Sequence, residues 1–211
     1  MFAALGISAL VGYLLGSVNF AVLVSKRYGI DILKEGSGNP GATNVKRVLG
    51  KGPGNLVFAL DALKGAAGTY LPFLLADAVS PGAPRFELLA AGFVGTLLGH
   101  CFSCFLKFKG GKGVASTIGG LLVLLPVPIV IGAALWALAF YTTRYVSVAS
   151  LALGLSLPLS CWLLPKFTSL QFGAAQLIFA GAIALFNVWT HRSNIGRLVR
   201  GEENKFTKKA S

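Results

Sequence analysis

The chain alternates long apolar runs with short polar ones. Residues 2–25, 54–76, 88–106, 114–142, 145–164 and 171–190 are apolar enough to be buried in lipid, and most approach the roughly 20 residues that a helix needs to cross a hydrocarbon core. Backbone groups in lipid have no water to bond, so these runs are predicted to be helices. Residues 114–142 carry Pro126 and Pro128 near their middle. Proline removes a donor and blocks helix continuation, which predicts two helices, about 110–125 and 128–145, each at the short limit for crossing. The expectation is an all-α polytopic integral membrane protein with seven transmembrane helices in a single domain, 1–211. The first run has no basic stretch before it and is longer than the apolar core of a signal peptide, so it is expected to be retained.

Composition supports that reading. Of 211 residues, 55% are hydrophobic and 12% charged, which suits lipid better than a soluble domain. The net charge of +12 is unevenly placed. Lys26, Arg27, Lys34, Lys46, Arg47 and Lys51 follow the first run; Lys107, Lys109 and Lys112 follow the third; Arg192, Arg197, Arg200, Lys205, Lys208 and Lys209 close the chain. The positive-inside rule makes all three clusters cytoplasmic, which puts the N-terminus outside and the C-terminus in the cytoplasm, provided that the two prolines divide the fourth run. Because the charge flanks membrane segments rather than lining a soluble face, it argues against nucleic acid and leaves anionic lipid or an anionic substrate. Cys101 and Cys104 form a CxxC inside an apolar segment, Cys161 is distant and no second CxxC exists. Packing is the expected role of these cysteines rather than metal or redox chemistry.

Three polar segments interrupt this pattern, all on the side expected to be cytoplasmic. The first, Gly36-Ser37-Gly38-Asn39-Pro40-Gly41-Ala42-Thr43-Asn44, formally contains G-x-G-x-x-G. A dinucleotide site would need a parallel sheet and an acid on the next strand, whereas the acid at that distance, Asp61, lies in an apolar helix. What remains is local: glycines that permit left-handed turns and expose N–H groups to an anion, side-chain donors on Ser37, Thr43 and Asn44, and a bidentate fork on Arg47. A plain connecting turn stays open. In the second segment, Gly110-Gly111-Lys112-Gly113 precedes an apolar run whose first N–H groups would attract phosphate beside Lys112. Gly113 stands where a P-loop would place Ser or Thr. The third segment carries His191, Asn194 and Arg197, three apart and so on one face of a continuing helix. They fit substrate hydroxyls and phosphate, although His191 equally suits an interfacial position. Asp61 and Lys64, three apart within a span, either neutralise one another or orient a polar cavity.

The loop "SGNPGATN", the segment "GHCFSCFLKFKGGKG" and the tail "HRSNIGRLVRGEENK", together with "LDALKG" and "TRYVSVAS", resemble the bacterial membrane acyl-phosphate:glycerol-3-phosphate acyltransferases, the PlsY family, over nearly the whole chain. The resemblance implies seven spans with an external N-terminus in the bacterial inner membrane and an active site facing the cytoplasm. It implies transfer of an acyl group from acyl phosphate to the 1-hydroxyl of glycerol-3-phosphate, giving lysophosphatidic acid and inorganic phosphate in phospholipid biosynthesis. By carry-over, Ser37, Arg47, Lys112, His191 and Asn194 are the expected catalytic residues. Gly38, Asn39, Gly41, Thr43, Asn44, Gly110, Gly111 and Ser147 are expected to bind substrate or phosphate. No metal and no prosthetic group is implied. The soluble enzyme that makes acyl phosphate is a candidate partner.

Missing residues limit the mechanism. A general-base His with Asp five positions later, as acyl-CoA-dependent glycerolipid acyltransferases use, is absent: Phe105 stands at that distance from His100 and Gly196 from His191. No Ser-His-Asp arrangement is indicated. An acyl phosphate is a mixed anhydride with a good leaving group, so aligning the hydroxyl and stabilising phosphate charge are the main demands. A transporter or channel for an organic phosphate and a non-catalytic membrane scaffold are the alternatives from other classes.

Overall fold

The computed structural model describes residues 1–206, so Lys208 and Lys209 lie outside the described residues. Among those residues the backbone is helical, with one isolated bridge, Ser103 to Lys109, in place of strands. Two compact units are present, Met1–Leu124 and the chain from Leu125 onward.

The first unit holds α1 (Phe2–Ser17), α2 (Phe20–Arg27), α3 (Ala42–Leu49), α4 (Lys51–Val79), α5 (Arg85–Cys101) and α6 (Val114–Leu124). The first apolar run is thus broken at Val18-Asn19, where the Asn19 side chain accepts the Val22 N–H at 3.0 Å and caps α2. This is the usual service of Asn at a helix start. Helices α1 and α5 approach so closely that a Cβ on Gly12, Gly16, Gly95 or Gly99 would collide with the facing backbone. In lipid, where apolar burial does not drive helices together, small residues gain association through such contact. Polar side chains fasten the same pair: Ser8 donates to the Leu88 carbonyl at 2.7 Å, and Thr96 to that of Gly12 at 3.2 Å. Helix α3 lies on a small core of Ala21, Val24, Ile32, Val45 and Val57, which anchors the glycine-rich loop before it.

The second unit holds α7 (Pro126–Thr143), α8 (Val146–Phe167), α9 (Ala174–Thr190) and α10 (Arg192–Val199). Inside it, Asn187 of α9 donates to the Ser150 carbonyl of α8 at 2.7 Å, and Gly154 makes room for the Asn187 amide. The predicted division of the fourth run is present: α6 ends at Leu124, and Pro126 opens α7 at a position where its missing N–H costs nothing. The boundary of α6 differs from expectation. Residues 110–113 are not helical, leaving 11 residues, or about 17 Å at 1.5 Å each, well short of a hydrocarbon core. Glycine disfavours helix, and Gly113 takes a φ of +79°.

By length and hydropathy, Phe2–Arg27, Pro126–Thr143 and Val146–Phe167 are each able to cross a membrane, and Ala174–Thr190 with Arg192–Val199 forms a fourth candidate bent by 58°.

Candidate functional site

In the first unit, the opening loop is a closed structure. Gly36 and Gly38 take the expected left-handed conformation, φ +60° and +68°. The buried Asn44 reaches back from α3 into the turn. Its Oδ1 accepts the Ser37 N–H at 2.9 Å, and its Nδ2 donates to the carbonyls of Glu35 at 2.9 Å and Ile32 at 3.3 Å. The Asn44 amide is thus bonded inside the loop, because shaping a glycine turn requires satisfying the carbonyls that it buries. The amides of Ser37, Gly38 and Gly41 are likewise bonded within the loop. Those of Gly36, Asn39, Ala42 and Thr43 make no such bond, and the last two lie in the first turn of α3, where helical N–H groups have no helical acceptor and attract anions. Ser37 is exposed, Gly38, Asn39, Gly41 and Thr43 are half-buried, and Arg47 is exposed in the last turn of α3.

The second glycine segment meets the first through His100. Gly111 donates its N–H to the His100 carbonyl at 3.1 Å. A Cβ on Gly110 would strike that same backbone; one on Gly111 would strike the imidazole Nε2 and lie 3.1 Å from the Pro40 carbonyl. Pro40 is in turn held by the Asn19 side-chain amide at 3.4 Å. The hairpin before the segment is tight. Lys107 and Phe108 are both left-handed, at φ 53° and 58°, the Phe108 N–H bonds the Ser103 carbonyl at 2.9 Å, and Ser103 Oγ donates to the Ser17 carbonyl at 2.6 Å. Lys112, half-buried, follows directly and leads into α6.

Beneath His100 lies a buried ionic cluster. Lys64 Nζ is 3.0 Å from Asp61 Oδ1, 2.7 Å from the Val18 carbonyl and 3.1 Å from His100 Nδ1, with Ser116 Oγ 3.3 Å from the same ring nitrogen. Of the two readings left open for Asp61 and Lys64, the ion pair is present, and the ammonium also contacts the His100 ring beside the loops.

In the second unit, Glu203 is the hub. Its Oε1 accepts from Asn194 Nδ2 at 2.6 Å and from Ser147 Oγ at 2.9 Å, and its Oε2 pairs with Arg197 Nε at 2.7 Å. Burial opposes its ionisation, but hydrogen bonds from Asn194, Arg197 and Ser147 and the charge of Arg197 outweigh that and hold the carboxyl below its usual range. The tail folds back to make this possible: the Phe206 N–H bonds the Arg144 carbonyl at 2.9 Å, and its ring meets Phe140 edge-on. Asn194 and Arg197 thus share a face, as their spacing predicts. His191 sits at the bend between α9 and α10, with Nδ1 2.9 Å from the Asn187 carbonyl.

The family model described as glycerol-3-phosphate acyltransferase matches residues 6–201. The glycerol-3-phosphate acyltransferase of Shouchella clausii is 39% identical over 210 residues, covering 99% of each chain. That of Desulfotalea psychrophila is 42% identical over 204 residues, covering 95% of this chain and 97% of its own. The crystal structure of PlsY, an integral membrane glycerol 3-phosphate acyltransferase, in its glycerol 3-phosphate form superposes with a TM-score of 0.81 at 36% identity, covering 97% of this chain and 96% of that one. Its lysophosphatidic acid form gives 0.79.

The chain belongs to the glycerol-3-phosphate acyltransferase family.

It is accordingly a helical integral membrane enzyme of the PlsY type. In this acyltransferase, the sequence motifs mark the two glycine segments and the tail, but not the contacts that join the two glycine segments to each other. His100 and Ser103 lie inside a quoted motif with no role assigned to them there, and Asn19 lies outside every motif. Glu203 lies inside the quoted tail motif with no role assigned to it there, and the hint to its role is that acids are scarce here, 7 Asp and Glu against 19 Lys and Arg.

Proposed function

We propose that this acyltransferase takes its acyl group from acyl phosphate and passes it to the 1-hydroxyl of glycerol-3-phosphate, releasing lysophosphatidic acid and inorganic phosphate. The hydroxyl oxygen attacks the acyl carbonyl, the bond from that carbon to the phosphate oxygen breaks, and the departing phosphate takes the hydroxyl proton. The observation that carries this reading is the joining of the two glycine segments at Pro40, His100 and Gly111, which brings the loop preceding α3 against the loop preceding α6. Two segments suited to phosphate match a reaction in which both substrates are phosphates. That the PlsY structures are glycerol 3-phosphate and lysophosphatidic acid forms supports the acceptor and the product.

Within this reading, Ser37, Arg47, Lys112, His191 and Asn194 are the residues that serve the reacting groups. Arg47 supplies a planar fork for phosphate and Lys112 a point charge. Gly38, Asn39, Gly41, Thr43, Gly110 and Gly111 keep the backbone of the loops in place, Asn44 acts by closing its turn, and Ser147 by holding Glu203. Acyl-CoA lacks the acyl-linked phosphate that such a site grips. Purified protein should therefore release inorganic phosphate and form lysophosphatidic acid from acyl phosphate, and comparable turnover with acyl-CoA in a preparation free of acyl phosphate overturns the donor assignment.

The reading includes seven spans in a bacterial inner membrane, with the N-terminus outside and the site facing the cytoplasm, where the basic loops place it. In a background with the exposed Cys104 replaced by Ser, a cysteine at Lys205 should label from the cytoplasm and one at Arg85 from outside. Labelling of both from one side contradicts this topology.

A further inference from the structure

Resting on that reading, we propose that His100 is a further phosphate-binding residue of the acyltransferase site, with Asp61 and Lys64 as the positioning residues that orient it. An ammonium can only donate, and Lys64 Nζ lies 2.7 Å from the Val18 carbonyl and 3.1 Å from His100 Nδ1, with Asp61 Oδ1 as its ion-pair partner at 3.0 Å. With Nδ1 accepting, the ring proton belongs on Nε2, because the partner of one imidazole nitrogen decides the tautomer of the other. That second nitrogen lies against Gly111, on the side where a Cβ would stand and where the Pro40 carbonyl also faces. His100 is 4% exposed, and both hydrogen-bond partners of its ring, Lys64 and Ser116, are on Nδ1.

This N–H faces the junction of the two glycine segments, where the proposed reaction holds phosphate, and a phosphate oxygen met directly or through one water is a fitting acceptor for it. Asp61 has a defined part: its carboxylate balances the ammonium, so Lys64 can stay protonated in an apolar surrounding and keep Nδ1 as the acceptor. The same N–H suits the phosphate of glycerol-3-phosphate and that of acyl phosphate, and kinetics with each substrate varied in turn separate the two.

The test uses two amides that mimic the two ends of the ring. His100→Gln reaches the Nε2 position with an N–H donor; His100→Asn leaves an acceptor for Lys64 and no donor at the far end. In purified enzyme, the Asn variant should raise the apparent KM for one phosphate substrate about tenfold, the effect of losing one charge-assisted hydrogen bond. The Gln variant should stay within about threefold of the parent, with kcat changed less than KM in both. A folded Asn variant with unchanged KM for both substrates overturns the inference, as does equal loss of kcat in both variants at constant KM. The chain has 2 histidines, so nitrogen-15 NMR of the unaltered protein gives an independent reading that survives a failure of either variant to fold. His100 should show the Nε2–H tautomer, and Nε2 should shift on adding glycerol-3-phosphate or inorganic phosphate; an Nδ1–H tautomer, or no shift with either, refutes it. A parent enzyme that does not use acyl phosphate at all would count against the proposed donor and not against His100.

Discussion

The two units solve the same problem in opposite ways. Each must hold polar groups in place within a largely apolar chain. The first does so with a charge pair inside the helices, Asp61 and Lys64, whose side chains are 2% and 4% exposed, and with glycines that admit backbone at close range. The second uses one carboxylate from the chain's tail, Glu203, which gathers Ser147, Asn194 and Arg197. The first arrangement is therefore sensitive to volume and to an unbalanced buried charge. The second is sensitive to the ionisation of a single group.

The largest expected effect comes from breaking the buried pair. Lys64→Met leaves Asp61 uncompensated and should cost about 3–5 kcal/mol of stability, measured by thermal or denaturant unfolding in detergent. The Asp61→Leu/Lys64→Met double variant sharpens the comparison, since replacing both charges with apolar groups is often close to neutral. It should regain most of the stability without regaining activity, because His100 is no longer oriented. Full recovery of both would reduce the pair to a structural ion pair.

The second unit should yield less. Glu203→Ala leaves three donors without their acceptor and should cost about 1–3 kcal/mol, with lower turnover as Asn194 and Ser147 lose their positions. Its pH signature is distinctive. A carboxyl held below its usual value in the folded protein contributes fully above the unfolded value of about 4.3, and that contribution disappears as pH falls through the lower folded value. The stability difference between the parent and Glu203→Gln should thus be constant near neutrality and shrink only in acid. A difference that varies between pH 6 and 8 would point to another titrating group.

The smallest effect in this series belongs to Gly38→Ala. At φ +68° an alanine costs about 1–2 kcal/mol, and its Cβ would lie 3.0 Å from the Leu33 carbonyl. The variant should insert normally, lose part of its activity and bind phosphate substrate more weakly. Unchanged kinetics for both substrates would make the loop a connecting turn.

Much of this was legible in the sequence because it depends on local rules. Apolar runs without access to water must be helical, and the proline pair divides the fourth run wherever the rest of the chain goes. Glycine turns at Gly36 and Gly38 follow from residue type, and the three motifs carried enough pattern to mark the family. Local rules also failed locally: the helix expected from about 110 begins only at Val114, since glycines that fit against His100 gain nothing by becoming helical.

Tertiary structure decided which polar groups meet. Pro40 and Gly111 are far apart in the chain, as are Ser147 and Glu203, and no periodicity relates either pair. Residue type promised only that Asn44 could donate and that Glu203 could ionise. Folding spends the Asn44 amide on its own loop and places Glu203 among three donors, because every buried polar group must find its partner within about 3 Å, whatever its distance along the chain.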